Sequence, residues 1–330
     1  MRRSATSTVL VTGATGFVGA SLCRHFAAKG HRVVAVCGPS GAGWRLANAA
    51  STIETVKVDL TAANEVSALL RDAQPEVVLN CAAYGAYPSQ TEPSRIYRVN
   101  FEAVRHLVEA AGALPGFRAF VHAGSSSEYG LHCTAPREDS APLPDSDYAV
   151  SKVAATAFVQ FVSKTRNFPG WVLRLSSVYG PYEEASRLIP RLLKCGKEGT
   201  YPPLVDPQIS RDFVYIDDVC NAFERVVESA TTVARGEVFN IGSGHATTLA
   251  TIVERVRQLF GIAQEPVWGS MANRRWDHRD WYSNPTKAFE MLGWKATTSL
   301  DDGLAATARF TDENTNVTND AERHAVTGAR

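Results

Sequence analysis

Three glycines near the N-terminus constrain the fold more than any other feature of the chain. Gly13, Gly16 and Gly19 follow an apolar run at residues 8–11 and open a stretch with helical character. Between a strand and a helix, this spacing permits a tight turn, close approach of a ligand to the backbone, and close packing of helix on strand. The N-terminus of the helix then offers free N–H groups to a diphosphate. The motif therefore predicts a dinucleotide-binding cradle.

The rest of the first half alternates short apolar runs with helical stretches. Short β-branched runs predict buried strands at 8–11, 33–36, 55–58, 77–81, 120–122 and 171–175. Helices are predicted at 17–29, 64–72, 94–111 and 148–165. Strands that alternate with helices predict an α/β fold with a doubly wound parallel sheet, Rossmann-like, covered on both faces.

The pattern becomes irregular after residue 175. Loops rich in proline separate helices predicted at 219–230 and 249–260 from a short strand at 238–241, which indicates a smaller mixed α/β lobe. We expect a dinucleotide-binding domain at 1–175 and a substrate-binding lobe at 176–310 with interleaved segments. Residues 311–330 lack periodic apolar positions, so a disordered tail is expected there.

Composition excludes several classes of function. Lys+Arg and Asp+Glu both number 34, so no charge excess favours nucleic acid as a partner. No apolar run approaches the length of a membrane span, and the start lacks the apolar core of a signal peptide. The six cysteines are scattered without metal-binding spacing. We therefore expect a cytoplasmic protein with reduced thiols and no structural metal.

A second motif lies mid-chain. Tyr148 and Lys152 are one helical turn apart on one face, and a run of serines at 125–127 precedes them. A lysine ammonium near a phenol favours the phenolate, so the pKa of Tyr148 is expected to fall by roughly 1–3 units. A serine hydroxyl would hydrogen-bond the substrate oxygen with which Tyr148 exchanges a proton, and would align that oxygen. This set predicts acid/base catalysis beside a nicotinamide.

Several further segments complete a family resemblance over about 300 residues. They are Asp59-Leu60, Ala82-Ala83, Asn100, the segment RDFVYIDDV at 211–219, FNIGSG at 239–244 and LGWK at 292–295. With the glycine and Tyr-x-x-x-Lys motifs, the chain resembles the extended short-chain dehydrogenase/reductases, in their nucleotide-sugar epimerase/dehydratase branch. The resemblance implies an enzyme that binds NAD or NADP and a nucleotide-diphosphate sugar.

The resemblance also assigns residues. It makes Ser125, Tyr148 and Lys152 catalytic, because Ser125 lies four residues before the tyrosine of Tyr129-Gly130. It implies that the cofactor contacts Gly13, Thr15, Gly16, Phe17, Val18, Gly19, Asp59, Leu60, Ala82, Ala83, Asn100, Tyr148, Lys152 and Val178. It places Tyr84, Ser126, Ser127, Glu128, Ser177, Arg187, Arg211, Arg274 and Asp277 around the substrate, with Arg211 and Arg274 clamping the diphosphate.

The second strand ends without the acidic residue that would bind the ribose 2′-hydroxyl of NAD. That absence removes repulsion against a 2′-phosphate, which Ser40 or Arg45 would bind. We therefore expect NADP(H), with NAD as the alternative.

Departures from the family narrow the reaction. Dehydratases carry an acidic residue directly after the catalytic serine, whereas Ser126 and Ser127 stand there and Glu128 is offset by one position. The family's histidine for double epimerisation is replaced by Tyr182. These differences favour an NADP(H)-dependent 4-ketoreductase of a nucleotide-linked 4-keto-6-deoxyhexose. An NAD-dependent 4-epimerase uses the same residues and stays open; a 4,6-dehydratase or a non-catalytic cofactor sensor is disfavoured.

The helices predicted at 94–111 and 148–165 carry more apolar surface than one sheet face would bury. In the family such helices pair into a four-helix bundle, so a homodimer is expected.

Overall fold

A parallel β-sheet organises this computed structural model, which describes residues 6–39, 41, 43–47, 53–273 and 279–313. The strands of the described residues are β1 (Thr8–Thr12), β2 (Arg32–Cys37), β3 (Ile53–Lys57), β4 (Val77–Asn80), β5 (Ala119–Ser125), β6 (Gly170–Leu175), β7 (Ser177–Tyr179), β8 (Ser210–Arg211), β9 (Phe213–Tyr215), β10 (Val238–Ile241) and β11 (Thr247–Thr248). Seven of them form one sheet in the order β10-β6-β5-β4-β1-β2-β3. The fold is therefore a doubly wound, Rossmann-like sheet.

The helices connect these strands and cover the sheet. They are α1 (Phe17–Ala28), α2 (Ala63–Ala73), α3 (Pro93–Tyr97), α4 (Ala103–Gly112), α5 (Asp147–Arg166), α6 (Leu188–Lys197), α7 (Ile216–Glu228), α8 (Leu249–Phe260), α9 (Thr286–Leu292) and α10 (Leu300–Glu313). A π-helical segment, Arg98–Glu102, joins α3 to α4.

Alternating side chains of the strands build a separate core on each face of the sheet. In β1, Val9 and Val11 pack on the face covered by α1 and α7, whereas Leu10 packs on the face covered by α2, α4 and α5. Both cores are apolar, so the strands read as continuous hydrophobic runs. The strands and helices predicted for the first half are confirmed within a few residues at their ends.

The strand at Val238–Ile241 corrects one prediction. The sequence predicts this strand in the smaller lobe, but β10 pairs in parallel with β6 and extends the main sheet. All four of its residues are buried, as expected for a strand covered on both faces. The chain thus leaves the sheet after β6 and returns to it, with α7 packed against β5 and β6.

The C-terminal segments form small elements of their own. Two short pairs, β7 with β9 and β8 with β11, stand apart from the main sheet. The expected disorder from residue 311 is wrong for residues 311–313, which belong to α10; Leu304 and Thr307 anchor that helix in the core. The remainder of the predicted tail, residues 314–330, lies outside the described residues. Within the described residues, no helix combines the length and apolar character needed to span a membrane.

Candidate active site

The glycine-rich turn after β1 is packed against the end of β4. Gly13 has a φ of +64°, and a Cβ on it would lie 2.7 Å from the backbone nitrogen of Ala82 and from the carbonyl group of Cys81. A Cβ on Gly19 would collide with the carbonyl oxygen of Gly13. Side chains are therefore excluded at both positions, because backbone occupies the space that they would need.

Gly16 is the N-cap of helix α1 and has a more open environment. It is exposed, and a Cβ on it would contact only the Gly13 oxygen, at 3.1 Å. No side chain caps the helix, so none satisfies the first-turn N–H groups. This open, glycine-lined helix N-terminus fits the diphosphate of a dinucleotide. Thr15, Phe17 and Val18 are partly exposed around it.

Other predicted cofactor contacts follow strands β3 and β4 or lie on β7. The Asp59 carboxylate accepts hydrogen bonds from the Thr61 backbone (2.9 Å) and hydroxyl (2.7 Å), which hold the pKa of Asp59 below its ordinary value. Leu60 is partly exposed beside it. At the end of β4, the N–H of Ala82 donates to the Thr12 hydroxyl (3.3 Å), and Ala83 is exposed. Val178, on β7, is also partly exposed.

Asn100 differs from the expectation that it contacts the cofactor. It is fully buried in the π-helical segment, where its amide donates to the Tyr84 oxygen (2.8 Å) and to the Ser151 hydroxyl (2.9 Å). Its oxygen accepts from the Tyr84 N–H (2.8 Å). Because all of these polar contacts point into the protein, Asn100 supports the loop after β4 instead of facing a ligand.

Arg45 is not free to receive a 2′-phosphate. Its guanidinium donates to the carbonyl oxygens of Tyr182 (2.8 Å) and Thr15 (3.0 Å) and to the Glu184 carboxylate (3.1 Å). Its side chain is only 7% exposed. The cation is therefore already neutralised by Glu184, which corrects the basis for expecting NADP(H). Ser40, the other predicted phosphate contact, lies outside the described residues.

The predicted catalytic residues come together where β5 ends. Ser125 is the last residue of β5, and its side chain is hydrogen-bonded to Tyr148 on α5. Lys152 lies one turn further along α5, only 2% exposed, and donates to the Ala123 oxygen at 2.8 Å. Its nitrogen is 5.9 Å from the centroid of the Tyr148 ring. Ser146 caps α5 through the N–H of Ala149, which fixes the start of the helix that carries the tyrosine and the lysine.

The protonation of this pair differs from the expectation. Burial raises the pKa of Tyr148 to about 12, although its hydrogen bond with Ser125 acts in the opposite direction. Burial lowers the pKa of Lys152 to about 8. The predicted fall in the pKa of Tyr148 is therefore wrong for the protein alone, because desolvation outweighs the groups that lower this pKa, and Lys152 is not one of them. As the pH rises, Lys152 loses its proton before Tyr148 does.

The serine run is followed by a carboxylate that is turned into the protein. Ser126 and Ser127 are partly exposed, and the Ser127 N–H donates to the Ser125 hydroxyl oxygen (3.1 Å). Glu128 is fully buried, and its two oxygens accept from the Ser125 N–H (2.9 Å) and from Nε of Arg174 (2.8 Å). The prediction that Glu128 contacts the substrate is therefore wrong, since both carboxylate oxygens are already paired inside.

Other predicted substrate contacts surround the same end of the sheet. The guanidinium of Arg95 lies over the Tyr84 ring, 4.5 Å from the centroid of that ring.

The predicted contacts beyond β6 lie on short strands. Ser177, on β7, donates its N–H to the backbone oxygen of Asp212 at 2.8 Å. Arg211, on β8, donates to the Ser210 oxygen and lies 4.8 Å from the ring centroid of Trp281. Arg274 and Asp277 lie outside the described residues.

Sequence reasoning missed an acidic pair after β7. Arg187 stacks over the ring of Tyr87 (5.9 Å) and lies 3.8 Å from the Glu183 carboxylate, whose side chain is 8% exposed. Burial raises the pKa of Glu183 to about 8. One oxygen of Glu183 and one of Glu184 are buried without a hydrogen-bond partner. Two glutamates in a loop normally indicate a solvated turn, so the sequence carried no signal for this burial.

Comparisons with known proteins agree with this geometry. Residues 9–242 match the model of the NAD dependent epimerase/dehydratase family. The chain belongs to that family. A UDP-glucose 4-epimerase of Mycolicibacterium smegmatis is 30% identical over 318 residues, covering 91% of this chain and 97% of the relative. A dTDP-glucose 4,6-dehydratase of Xanthomonas campestris is 27% identical, covering 91% and 92%.

Solved structures extend the likeness to three dimensions. A UDP-glucuronic acid 4-epimerase from Bacillus cereus, in complex with UDP-glucuronic acid and NAD, is 27% identical. It superposes with a TM-score of 0.81 over 93% of this chain and 99% of that one. The resemblance to the extended short-chain dehydrogenase/reductases is thus confirmed, and the chain is a family enzyme of the nucleotide-sugar epimerase/dehydratase type.

Proposed function

We propose that this protein is an NAD-dependent 4-epimerase of a nucleoside-diphosphate hexose. One observation carries the proposal: Ser125, Tyr148 and Lys152 meet beside the glycine cradle, while the only carboxylate of the serine segment, Glu128, is buried in an ion pair with Arg174. Elimination of water needs a further acid or base at the sugar, and this segment offers none. Epimerisation at a carbinol carbon needs only the three residues and the cofactor.

Each residue has a role in that chemistry. Bound NAD would supply the hydride acceptor and donor, held by the cradle at Gly13, Gly16 and Gly19. Tyr148 exchanges a proton with the 4-oxygen of the sugar. Ser125 is the residue that we assign to orient the same oxygen, and its own oxygen already accepts from the Ser127 N–H. Arg211, Arg187 and Arg274 are the cations that we assign to the substrate diphosphate.

The choice of NAD over NADP rests on Arg45. A 2′-phosphate needs an available cation, and the Arg45 guanidinium is held by Glu184 and two carbonyl oxygens. The relatives support the same choice, since the family description and the Bacillus cereus epimerase both name NAD.

A 4-ketoreductase is the second candidate, and two observations favour it. Strand β2 ends in Cys37, followed by Gly38, without the carboxylate that usually binds the 2′-hydroxyl of NAD. Tyr148 also keeps its proton in the protein alone, since burial raises its pKa to about 12, and a protonated phenol is ready to donate to a carbonyl oxygen.

Product analysis separates the two candidates. The protein would be incubated with UDP-glucose, with UDP-glucuronic acid and with a nucleotide-linked 4-keto-6-deoxyhexose, in the presence of NAD or NADPH. Interconversion of a sugar with its 4-epimer, without net change in the cofactor, is the expected result. Stoichiometric oxidation of NADPH with the keto sugar would overturn the proposal in favour of the reductase. A Tyr148→Phe protein is the control for adventitious activity.

We also propose a homodimer through α3–α4 and α5. Val150 and Phe161 on α5 are 41% and 49% exposed, and they lie three turns apart on one face. Burial of such a face is favourable, and a symmetric pair of helices is its natural partner. Light scattering of the purified protein tests this: a dimer mass is expected, and Phe161→Glu is expected to give the monomer mass.

A further inference from the structure

The buried Glu128 carboxylate lies directly behind the reacting groups. It closes a capping box in which the Ser125 hydroxyl accepts from the Ser127 N–H, while the Glu128 carboxylate accepts from the Ser125 N–H. Such reciprocal bonds fix the conformation of a short turn. The geometry of Ser125, including the direction of its hydroxyl, therefore depends on the carboxylate three residues later.

The carboxylate is itself held by strand β6. Arg174 donates to it at 2.8 Å and also donates to the Tyr129 hydroxyl, at 2.8 Å, and to the Glu138 oxygen, at 3.1 Å. The Tyr129 hydroxyl in turn donates to the side chain of Asn240 on β10, at 2.6 Å. With Glu128 fully buried and Arg174 only 5% exposed, the pair cannot relax into solvent. It forms a rigid support beneath the end of β5.

Gly124 shows that the backbone is adapted to this support. A Cβ on Gly124 would lie 2.7 Å from the Glu128 carboxylate and 2.9 Å from the side chain of Val172. A glycine in a central strand is unfavourable in itself. Its presence before Ser125 is explained by the space that the folded-back carboxylate occupies.

The same carboxylate acts on both other reacting groups. Tyr148 experiences the negative charge of Glu128, together with Arg187 and Tyr87. The charges of Glu128 and Cys81 act to raise the pKa of Lys152. Burial, together with the Lys152 ammonium, lowers the pKa of His122. Glu128 raises the pKa of Tyr148 and that of Lys152, opposing the desolvation that lowers the pKa of Lys152.

We infer that Glu128 is a positioning residue of the active site, which holds the backbone of Ser125 and places a fixed negative charge behind Tyr148 and Lys152. The inference rests on the proposed function in taking these three residues as the reacting groups. It adds a role for a carboxylate that does not contact the substrate.

The test removes this charge and keeps the hydrogen bond to Ser125. Glu128→Gln alone would turn an amide NH₂ toward one of the two donors and leave Arg174 as an unpaired buried cation. The variant is therefore Glu128→Gln combined with Arg174→Met, in which the glutamine oxygen still accepts from Ser125 and no cation is stranded. Glu138→Gln is the matched control, because Glu138 belongs to the same network but is not among the charges that act on Lys152.

The primary readout is the titration of Lys152, followed by NMR of protein with isotopically labelled lysine and assigned with Lys152→Met. In the double variant, the pKa of Lys152 is expected to fall by up to about 1 unit below that of the wild type, because Glu128 is among the charges that act on Lys152 and Arg174 is not. The Glu138→Gln control is expected to leave it unchanged. An unchanged titration in a folded double variant would overturn the inference, as would an equal shift in the control.

Kinetics give a second readout. The pH profile of kcat for the double variant should move to lower pH in parallel with the Lys152 titration. If the wild-type protein turns over no nucleotide sugar, the proposed function fails, while the titration still decides the role of Glu128. If Glu128 had a purely structural role, the double variant would lose stability, but neither the Lys152 titration nor the pH profile of kcat would shift.

Discussion

The cofactor side and the substrate side of the candidate site differ in composition: backbone forms the first, and side chains form the second. The cofactor side is made of backbone: the turn at Gly13 to Gly19 is defined by where side chains are excluded. The substrate side, from Tyr84 to the loop after β7, is made of charged and aromatic side chains, with Arg187, Tyr87 and Glu183 packed together. Backbone geometry needs particular glycines, so it leaves a sequence signature. A pocket of side chains can be assembled in many ways and leaves none.

Loss of the Tyr148 hydroxyl should have the largest effect, since it acts at the meeting point of the two sides. Tyr148→Phe is expected to lower kcat by about a thousandfold, because the proton exchange with the sugar oxygen is lost. Sugar conversion measured at saturating substrate checks this. Tyr97→Phe, at an exposed tyrosine that donates to Asp147, is the matched control and should retain activity. A comparable loss in the control would show that the effect is not specific to Tyr148.

Two glycines distinguish structural from ligand-facing positions on the cofactor side. Gly13→Ala should destabilise the fold by about 2–4 kcal/mol, because the φ is +64° and the methyl group would overlap the backbone of β4. Gly16→Ala should lower the melting temperature much less than Gly13→Ala and weaken NAD binding, since φ is not strained there and its Cβ would meet only the Gly13 oxygen, at 3.1 Å. Thermal melts and titration with NAD measure both effects. Equal destabilisation by the two substitutions would contradict the cradle described above.

The buried lysine should cost stability in return for its function. Because the pKa of Lys152 falls from 10.5 to about 8 on folding, the unfolded chain binds more protons between these values and stability rises with pH there. Lys152→Met should therefore stabilise the inactive protein by on the order of 2–3 kcal/mol at pH 7. That gain should shrink as the pH rises from 8 to 10.5. Denaturant unfolding at several pH values tests it, and a pH-independent difference would exclude the assigned titration.

The buried glutamate on the substrate side predicts the opposite trend. The pKa of Glu183 rises from 4.5 to about 8 on folding, so its contribution is most favourable at low pH and is lost as the pH rises through 8. Glu183→Gln should therefore match the wild type near pH 4.5 and become more stable above pH 8, by on the order of 5 kcal/mol. Glu65→Gln, at an exposed glutamate of α2, is the control and should show no such divergence.

The sequence was sufficient to predict the sheet, the glycine-rich turn and the proximity of Ser125, Tyr148 and Lys152. Strands β1, β2, β4, β5 and β6 consist mostly of buried residues, and apolar runs of that kind are visible without a structure. The lobe assignment of β10 failed because a four-residue apolar run does not specify which strand it will pair with. That pairing is fixed by contacts with β6 that lie far away in the chain.

The errors at the site have one physical cause. Arg45, Asn100 and Glu128 were assigned to ligands by residue type and position, and each is instead satisfied by partners within the protein. The sequence predicts a fall in the pKa of Tyr148 because Lys152 is near, but burial raises that pKa. Residue type shows what a side chain can bind. Burial and distant partners decide what it does bind, and neither can be read from local sequence.

The return of β10 to the sheet has a consequence for how the enzyme is made. The support of Ser125 runs through Arg174 and Tyr129 to Asn240, a residue synthesised more than a hundred positions after the serine. A nascent chain that has emerged only to the end of β6 carries Ser125, Tyr148 and Lys152 but not the Asn240 amide oxygen that accepts from Tyr129. The candidate site would therefore be completed late in translation. A fragment ending at residue 175 would lack the hydrogen bond between Tyr129 and Asn240.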